Sequence, residues 1–389
     1  MSDQKTLVPK LRFPEFRDKG GWINEPLEKL AKYENGKAHE QFISENGNFI
    51  VVNSKFISTN GDMKKYTNKA FCLAKKGDIL MVLSDVPNGK AFAKCFFVDV
   101  DNFYTVNQRI CKLSPKNAVD ILLFYSLNKN PFFLAFDDGV KQTNLRKDDV
   151  LSCPVLLPKS IEEQQKIADC LSSVDELIAA QAQKVDTLKT HKKGLMQQLF
   201  PREGEAQPRL RFAEFRGTGS WTRSSFEKLF SIGSGKDYKH LNTGNVPVYG
   251  SGGYMLSVTD YLYDGESVCI GRKGTINKPI FLSGRFWTVD TLFYTHSFKE
   301  CLPSFIYAIF QQIDWLKHNE AGGVPSLSKI NIEKIITAIP KLPEQQKIAD
   351  CLSSIDELIT AETQKLETLK THKKGLMQQL FPTNEGEEK

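Results

Sequence analysis

The sequence predicts an α+β protein in which two mixed α/β globular parts are separated by two long helices, packed on each other as an antiparallel coiled coil in a pseudo-twofold repeat. Three observations predict it. Residues 163–201 and 344–382 nearly repeat each other, differing at six of 39 positions with a constant offset of 181. Each copy carries apolar residues at the alternating four-and-three spacing of a heptad seam. Outside the copies, short β-rich runs alternate with Gly, Asn and Asp, the pattern of strands and turns. So close a repeat uses one surface twice, while the unlike parts before each copy serve two different ends.

The first globular part, residues 1–158, opens with PKLRFPEFRDKGGW at 9–22, which returns as PRLRFAEFRGTGSW at 208–221. Strands are predicted at Phe49 to Val52, Ile79 to Leu83 and Cys95 to Val100, and a helix near 119–129. The first long helix, 159–201, has its seam at Ile167, Leu171, Val174, Ile178, Val185, Leu188, Leu195 and Leu199. Ser160 with Glu163 resembles a capping box, and Pro201 ends the pattern. The second globular part, 202–340, follows the polar linker REGEAQ, with strands expected at Ser267 to Ile270 and Pro279 to Leu282 and a helix near 303–317. Each part is read as a small domain with a curved sheet, and the many glycines of the second point to loops presented for recognition. The second long helix, 341–382, has Pro343 in its first turn and its seam at Ile348, Leu352, Ile355, Ile359, Leu366, Leu369, Leu376 and Leu380. Residues 383–389 form an acidic tail.

Each helix would span about 55 Å and cannot shelter its own seam. Polar residues interrupt the seams at Gln181 and Lys192, and at Glu362 and Lys373. Carboxylates crowd the first two thirds of each copy and lysines its end, so antiparallel packing opposes unlike charges. That register brings Glu362 toward Lys192. Pairing between two chains is the alternative.

With 40% hydrophobic and 25% charged residues among 389, the chain has the composition of a globular protein. No run approaches the roughly 18 apolar residues of a membrane span, and the first ten residues lack the apolar core of a secretion signal. A cytoplasmic location with no membrane partner is expected. The eight cysteines include no CxxC, which fits reduced thiols better than disulfides or zinc. The excess positive charge resides in the unlike parts, +5 in residues 1–158 and +3 in 202–340, while each helical repeat is neutral and the tail contributes −2, leaving the net +6.

Among short motifs, SIGSGK at 231–236 lacks the first Gly and the last Ser/Thr of a Walker loop. It reads as a turn exposing Lys236, with Tyr238 and Lys239 beyond. IGRKGT at 270–275 sets Arg272 and Lys273 between glycines after a strand, where cationic side chains can approach a phosphate or a guanine edge; Lys278 follows. In the first part Lys64, Lys65, Lys90, Lys94, Arg109, Lys141 and Arg146 are the cationic candidates, with Gln108, Gln142 and Asn144 suited to bidentate base contacts. No HExxH, no G-x-S-x-G and no Asn or Asp before Pro-Pro-aromatic occurs, and His191 and His372 are one repeated position. No catalytic and no metal-binding residue is expected.

With LRFPEFR at its start, LPEQQKIADCLSSIDELI in its helices and KKGLMQQLF at their ends, the chain resembles the specificity subunits of Type I restriction-modification systems. The first copy departs from the pattern, reading LPKSIEEQQKIA with one extra residue. The resemblance implies two target-recognition domains, each reading half of a split double-stranded DNA site, and helices that space them and dock two modification methyltransferase subunits. It further implies restriction/translocase subunits held through those, and S-adenosylmethionine, ATP and Mg on the partners with no cofactor in this chain. A recognition-domain fold like that of adenine methyltransferases is also implied. A coiled-coil scaffold without DNA binding, and a self-sufficient methyltransferase, are the readings to be separated from it.

Overall fold

The computed structural model describes residues 7–86, 89–202 and 204–382; the expected acidic tail at 383–389 lies outside the described residues. The chain divides into two compact units, Met1–Ala180 with Glu367–Lys389, and Gln181–Leu366. Each unit therefore holds one globular part and a portion of both long helices.

In the first unit an antiparallel four-stranded sheet has the order Ala31–Asn35, Ile110–Pro115, Ile79–Val82, Cys95–Phe97. Of its two inner strands, Ile79–Val82 reads Ile-Leu-Met-Val, all four residues being buried, so the polar-apolar alternation of a half-exposed strand is missing. A second sheet sets Phe49–Val52 between Tyr66–Thr67 and Tyr104–Val106, the last pairing parallel. The second unit repeats this plan on an unlike sequence. Ser231–Ser234, Leu292–His296, Ser267–Gly271 and Ile280–Leu282 form one sheet, and Thr243–Gly250 centres another with a parallel partner at Arg285–Thr288. Where one curved sheet was expected per domain, each has two larger sheets, accompanied by two-stranded pairings such as Ile23–Pro26 with Pro154–Leu157 and Thr222–Ser225 with Ile336–Ile339. Inside the second unit Ser267 and Thr295 substitute side chains for ladder bonds: Val268 N–H donates to Thr295 Oγ1 at 2.8 Å, and Thr295 N–H to Ser267 Oγ at 3.0 Å.

The long helices run Ile161–Leu199 and Leu342–Leu380, 39 residues each, or about 58 Å at ~1.5 Å per residue. The two starts are one repeat apart, so the extra residue of the first copy is absorbed before the helix. Ser160 accepts from Glu163 N–H at 3.3 Å, but the Glu163 carboxylate does not complete a capping box; Glu162 takes the Ser160 hydroxyl instead. All sixteen seam residues are buried or half-buried. Toward the helix ends the globular parts share the seam: Ile167, Leu171 and Leu380 join the core around Leu27, Leu113 and Leu123, and Leu199, Ile348 and Leu352 join the core around Phe226, Ile270 and Phe310.

Antiparallel packing is visible in each unit. Lys373 Nζ lies 2.6 Å from both oxygens of Asp175 in the first, and Lys192 Nζ lies 2.7 Å from Asp356 Oδ2 in the second. The expected Glu362–Lys192 approach is not made. Glu362 takes Lys184, and the Gln181 amide donates to its carboxylate at 2.6 Å and to its carbonyl at 2.9 Å. The register is thus set about two turns from the expected one, because Asp356 satisfies Lys192.

Each opening repeat is fastened to its helix by a buried ion pair. Arg12 grips Glu163 through Nε at 2.7 Å and Nη2 at 2.8 Å, and Arg211 grips Glu344 through the same two nitrogens at 2.7 Å each. The carboxylate beside each guanidinium raises the arginine pKa further. Buried Gln164 and Gln345 accept from Val119 N–H and Leu302 N–H, both at 2.9 Å, tying the start of a domain helix to each long helix.

Candidate nucleic-acid interface

In the second unit, strand Ser267–Gly271 runs into Arg272, Lys273 and Gly274. A Cβ on Gly271 would stand 2.1 Å from Thr275 O, and Gly274 has φ +89°, so the turn requires glycine on both sides of the cations. Arg272 N–H donates to Thr291 O at 2.8 Å, Leu327 N–H to Arg272 O at 2.9 Å, and Gly274 N–H to Pro325 O at 2.9 Å. Strand Ser231–Ser234 ends beside them, with Lys236 N–H on Thr288 O at 2.8 Å and the Trp287 indole N–H on Lys236 O at 2.8 Å. Four segments therefore converge at one end of the sheets. Arg272 and Lys273 line an open cleft of about 510 Å³ with Glu320, Val324, Ser326 and Ser328. The Ser328 hydroxyl and N–H hold the Glu320 carboxyl below its usual range, so the cleft wall carries an anion opposite two exposed cations. Lys239 and Lys278 are exposed and Tyr238 is half-buried against the Val248–Trp287 cluster.

The same place in the first unit is built from other residues. Strand Ile79–Val82 runs into Leu83 and Ser84 where the second unit has Arg272 and Lys273. Leu83 N–H donates to Arg109 O at 2.8 Å and Leu145 N–H to Leu83 O at 2.9 Å, while Ser84 pairs with Asn144. This brings together Arg109, Gln142, Asn144 and Arg146, all exposed, with Lys141 beside them. Arg109 takes φ +71°, an uncommon conformation for a side-chain-bearing residue. Lys90 is exposed on the neighbouring segment held by Asp85, whose carboxylate accepts Ala91 N–H at 2.8 Å. Lys64 and Lys65 are exposed but precede a strand of the other sheet. Two candidates are already engaged: the Gln108 amide donates to Glu40 Oε1 at 3.3 Å, and Lys94 Nζ to Asn60 Oδ1 at 2.6 Å, burial lowering the lysine pKa.

Sequence reasoning missed Lys37. Gly36 N–H donates to Ile110 O at 2.9 Å and Lys37 N–H to Val106 O at 3.0 Å, which places Lys37 where the second unit has Lys236. The signal was present, since LEKL at 27–30 and FEKL at 226–229 continue the opening repeat at its own offset.

Elsewhere, burial pushes the thiols of Cys72, Cys111, Cys153 and Cys269 up to about 12 and that of Cys301 up to about 11, so these sulfurs stay protonated near neutrality. Among the described residues no group of His, Cys, Asp or Glu is arranged to hold a metal ion, and no helix is long and apolar enough to cross a membrane. On the long helices Leu177 and Leu358, one repeat position, are exposed at 57% and 43%. Ile161 and Leu342, another, are likewise exposed. Apolar residues left in water at the same two positions of both copies mark a repeated surface.

Residues 19–190 and 220–371 match the family described as the Type I restriction modification DNA specificity domain. A curated relative, the Type I restriction enzyme MjaVIII specificity subunit of Methanocaldococcus jannaschii, is 24% identical over 95% of this chain and 93% of its own. The crystal structure of a Type I restriction-modification S subunit from M. genitalium superposes with a TM-score of 0.70 at 18% identity, covering 97% of this chain and all of that one. A structure from work on assembly and conformational transition of the type I R-M system gives a TM-score of 0.55 at 14% identity, covering 93% and 98%. Since two copies of the family's domain account for most of its length, the chain belongs to the Type I restriction modification DNA specificity family, whose members are the non-catalytic sequence-recognition subunits of restriction-modification complexes.

Proposed function

We propose that each globular part reads one half of a bipartite, asymmetric site in double-stranded DNA, and that the repeated helix surface docks two copies of one modification methyltransferase, through which restriction/translocase subunits are held. One observation carries this reading. The exposed apolar positions of the long helices, Leu177 with Leu358 and Ile161 with Leu342, recur in both copies, as two equal partners require, whereas the sheet ends differ residue by residue, as two different half-sites require. Supporting it, the excess positive charge lies in the unlike parts, and each sheet end presents cations on glycine-bounded or strained turns that let backbone and side chain approach a groove. The long helices then serve as the spacer that sets the gap between half-sites, and domain limits follow at 1–158, 159–201, 202–340 and 341–382. S-adenosylmethionine, ATP and Mg belong to the partners, where the target adenine is drawn from the stack and methylated.

The test is binding of random-sequence duplex to the chain across a salt series, with and without the methyltransferase. Affinity that falls steeply with salt, log K against log salt being steep and linear, supports the reading. Salt-insensitive or absent binding in both arms would leave a coiled-coil scaffold as the better description.

A further inference from the structure

We propose that Lys37 and Lys236 are phosphate anchors, one in each recognition domain, which hold DNA without reading its sequence; this rests on the DNA-binding reading above and divides the labour within it. The segments LEKLAKYENGK, 27–37, and FEKLFSIGSGK, 226–236, both end in Gly-Lys at the offset of the opening repeat. In each domain the first strand of the four-stranded sheet stops there. Gly36 and Gly235 donate N–H to Ile110 O and Leu292 O at 2.9 and 3.2 Å, and the lysines that follow donate to Val106 O and Thr288 O at 3.0 and 2.8 Å. A Cβ on Gly36 would stand 2.0 Å from Asn107 O, and one on Gly235 1.9 Å from Val289 O, so chain approach accounts for the glycines.

It does not account for the lysines. Both side chains are exposed, and neither ammonium lies within salt-bridge distance of a described carboxylate. Their backbones are braced by different means, Lys37 O by Gln108 N–H at 3.2 Å with His39 Nδ1 at 2.6 Å, and Lys236 O by the Trp287 indole. The residues around them differ as well: Leu83, Ser84 and Arg109 stand in one domain where Arg272, Lys273 and Thr291 stand in the other. Two surfaces that read different base sequences share only one substrate, the sugar-phosphate backbone, so a cation kept at the same place in both addresses phosphate.

The test uses the full chain in complex with its methyltransferase, carrying Lys37→Gln and Lys236→Gln together. The probes are a random-sequence duplex and a duplex bearing the site found by methylome sequencing of a host expressing the complex. The slope of log K against log salt should fall by about two, affinity should drop by the same factor on both probes, and Lys37→Arg with Lys236→Arg should restore the slope. An unchanged slope, or a loss confined to the cognate probe, would overturn the assignment while leaving DNA binding intact. A parent complex without salt-dependent binding would overturn both together, and so is told apart.

Discussion

An arginine and a glutamate taken out of water must satisfy each other, and Arg12 with Glu163 and Arg211 with Glu344 do so with at most 8% of any side chain exposed. Removing one partner strands a charge, which costs about 3–5 kcal/mol. Arg12→Ala should therefore lower the stability of the first unit by that order in denaturant unfolding, and a loss below about 1 kcal/mol would show that water reaches the site. At the sheet end the expected behaviour is different. Arg272 and Lys273 are exposed, so Arg272→Ala with Lys273→Ala should leave stability nearly unchanged yet weaken DNA binding and flatten its salt dependence; an unaltered slope would remove them from the interface. Arg272, Lys273 and Lys236 could be named from sequence because glycines flank the first pair and precede the third. Lys37, which also follows a glycine, was legible through the opening repeat that continues to it, whereas the gathering of Arg109, Asn144 and Arg146 was not, since strand pairing between segments about 26 to 62 residues apart decides it.

Along the long helices the only six differences between copies fall within 174–186 and 355–367, and one of them, Gln181 against Glu362, meets itself across the pair. Gln181→Glu would oppose two carboxylates there and should destabilise the pair, while adding Glu362→Gln should restore it by exchanging the roles; failure of the double variant to recover would show that the contact is incidental. Hydrogen bonds from Lys184 and Gln181 hold the Glu362 carboxyl below its usual value. A folded-state value depressed below the unfolded one stabilises above the ordinary glutamate range and ceases to do so as pH falls through the depressed value. The stability difference between the parent chain and Glu362→Gln should thus shrink on acidification, as urea melts across that range would record. The helices themselves were legible because a heptad pattern is local and long. Their register was not, because several alignments of two polar-acidic, basic-ended helices oppose unlike charges, and the seating of Lys192 on Asp356, of Lys373 on Asp175 and of Gln181 and Lys184 on Glu362 chooses among them.

For the whole molecule, the same strand plan recurs on sequences that share little beyond their openings, which is why existence of strands at 49–52, 79–82 and 267–271 could be foreseen while the pairing of the second sheet in each domain could not: it is completed by a parallel partner from far along the chain, Tyr104–Val106 for Phe49–Val52 and Arg285–Thr288 for Thr243–Gly250, and the latter strand is irregular in register besides. Deleting one heptad from each long helix keeps the seam in phase and should alter the tolerated gap between half-sites, read out as a change in the spacer of the methylated motif; an unchanged spacer would deny the helices their spacing role. The division of labour between unlike heads and like helices is tested most directly by exchanging residues 222–335 for another recognition domain and sequencing the methylome of the host. The account predicts that one half-site changes and the other stays. A change in both half-sites, or in neither, would contradict it.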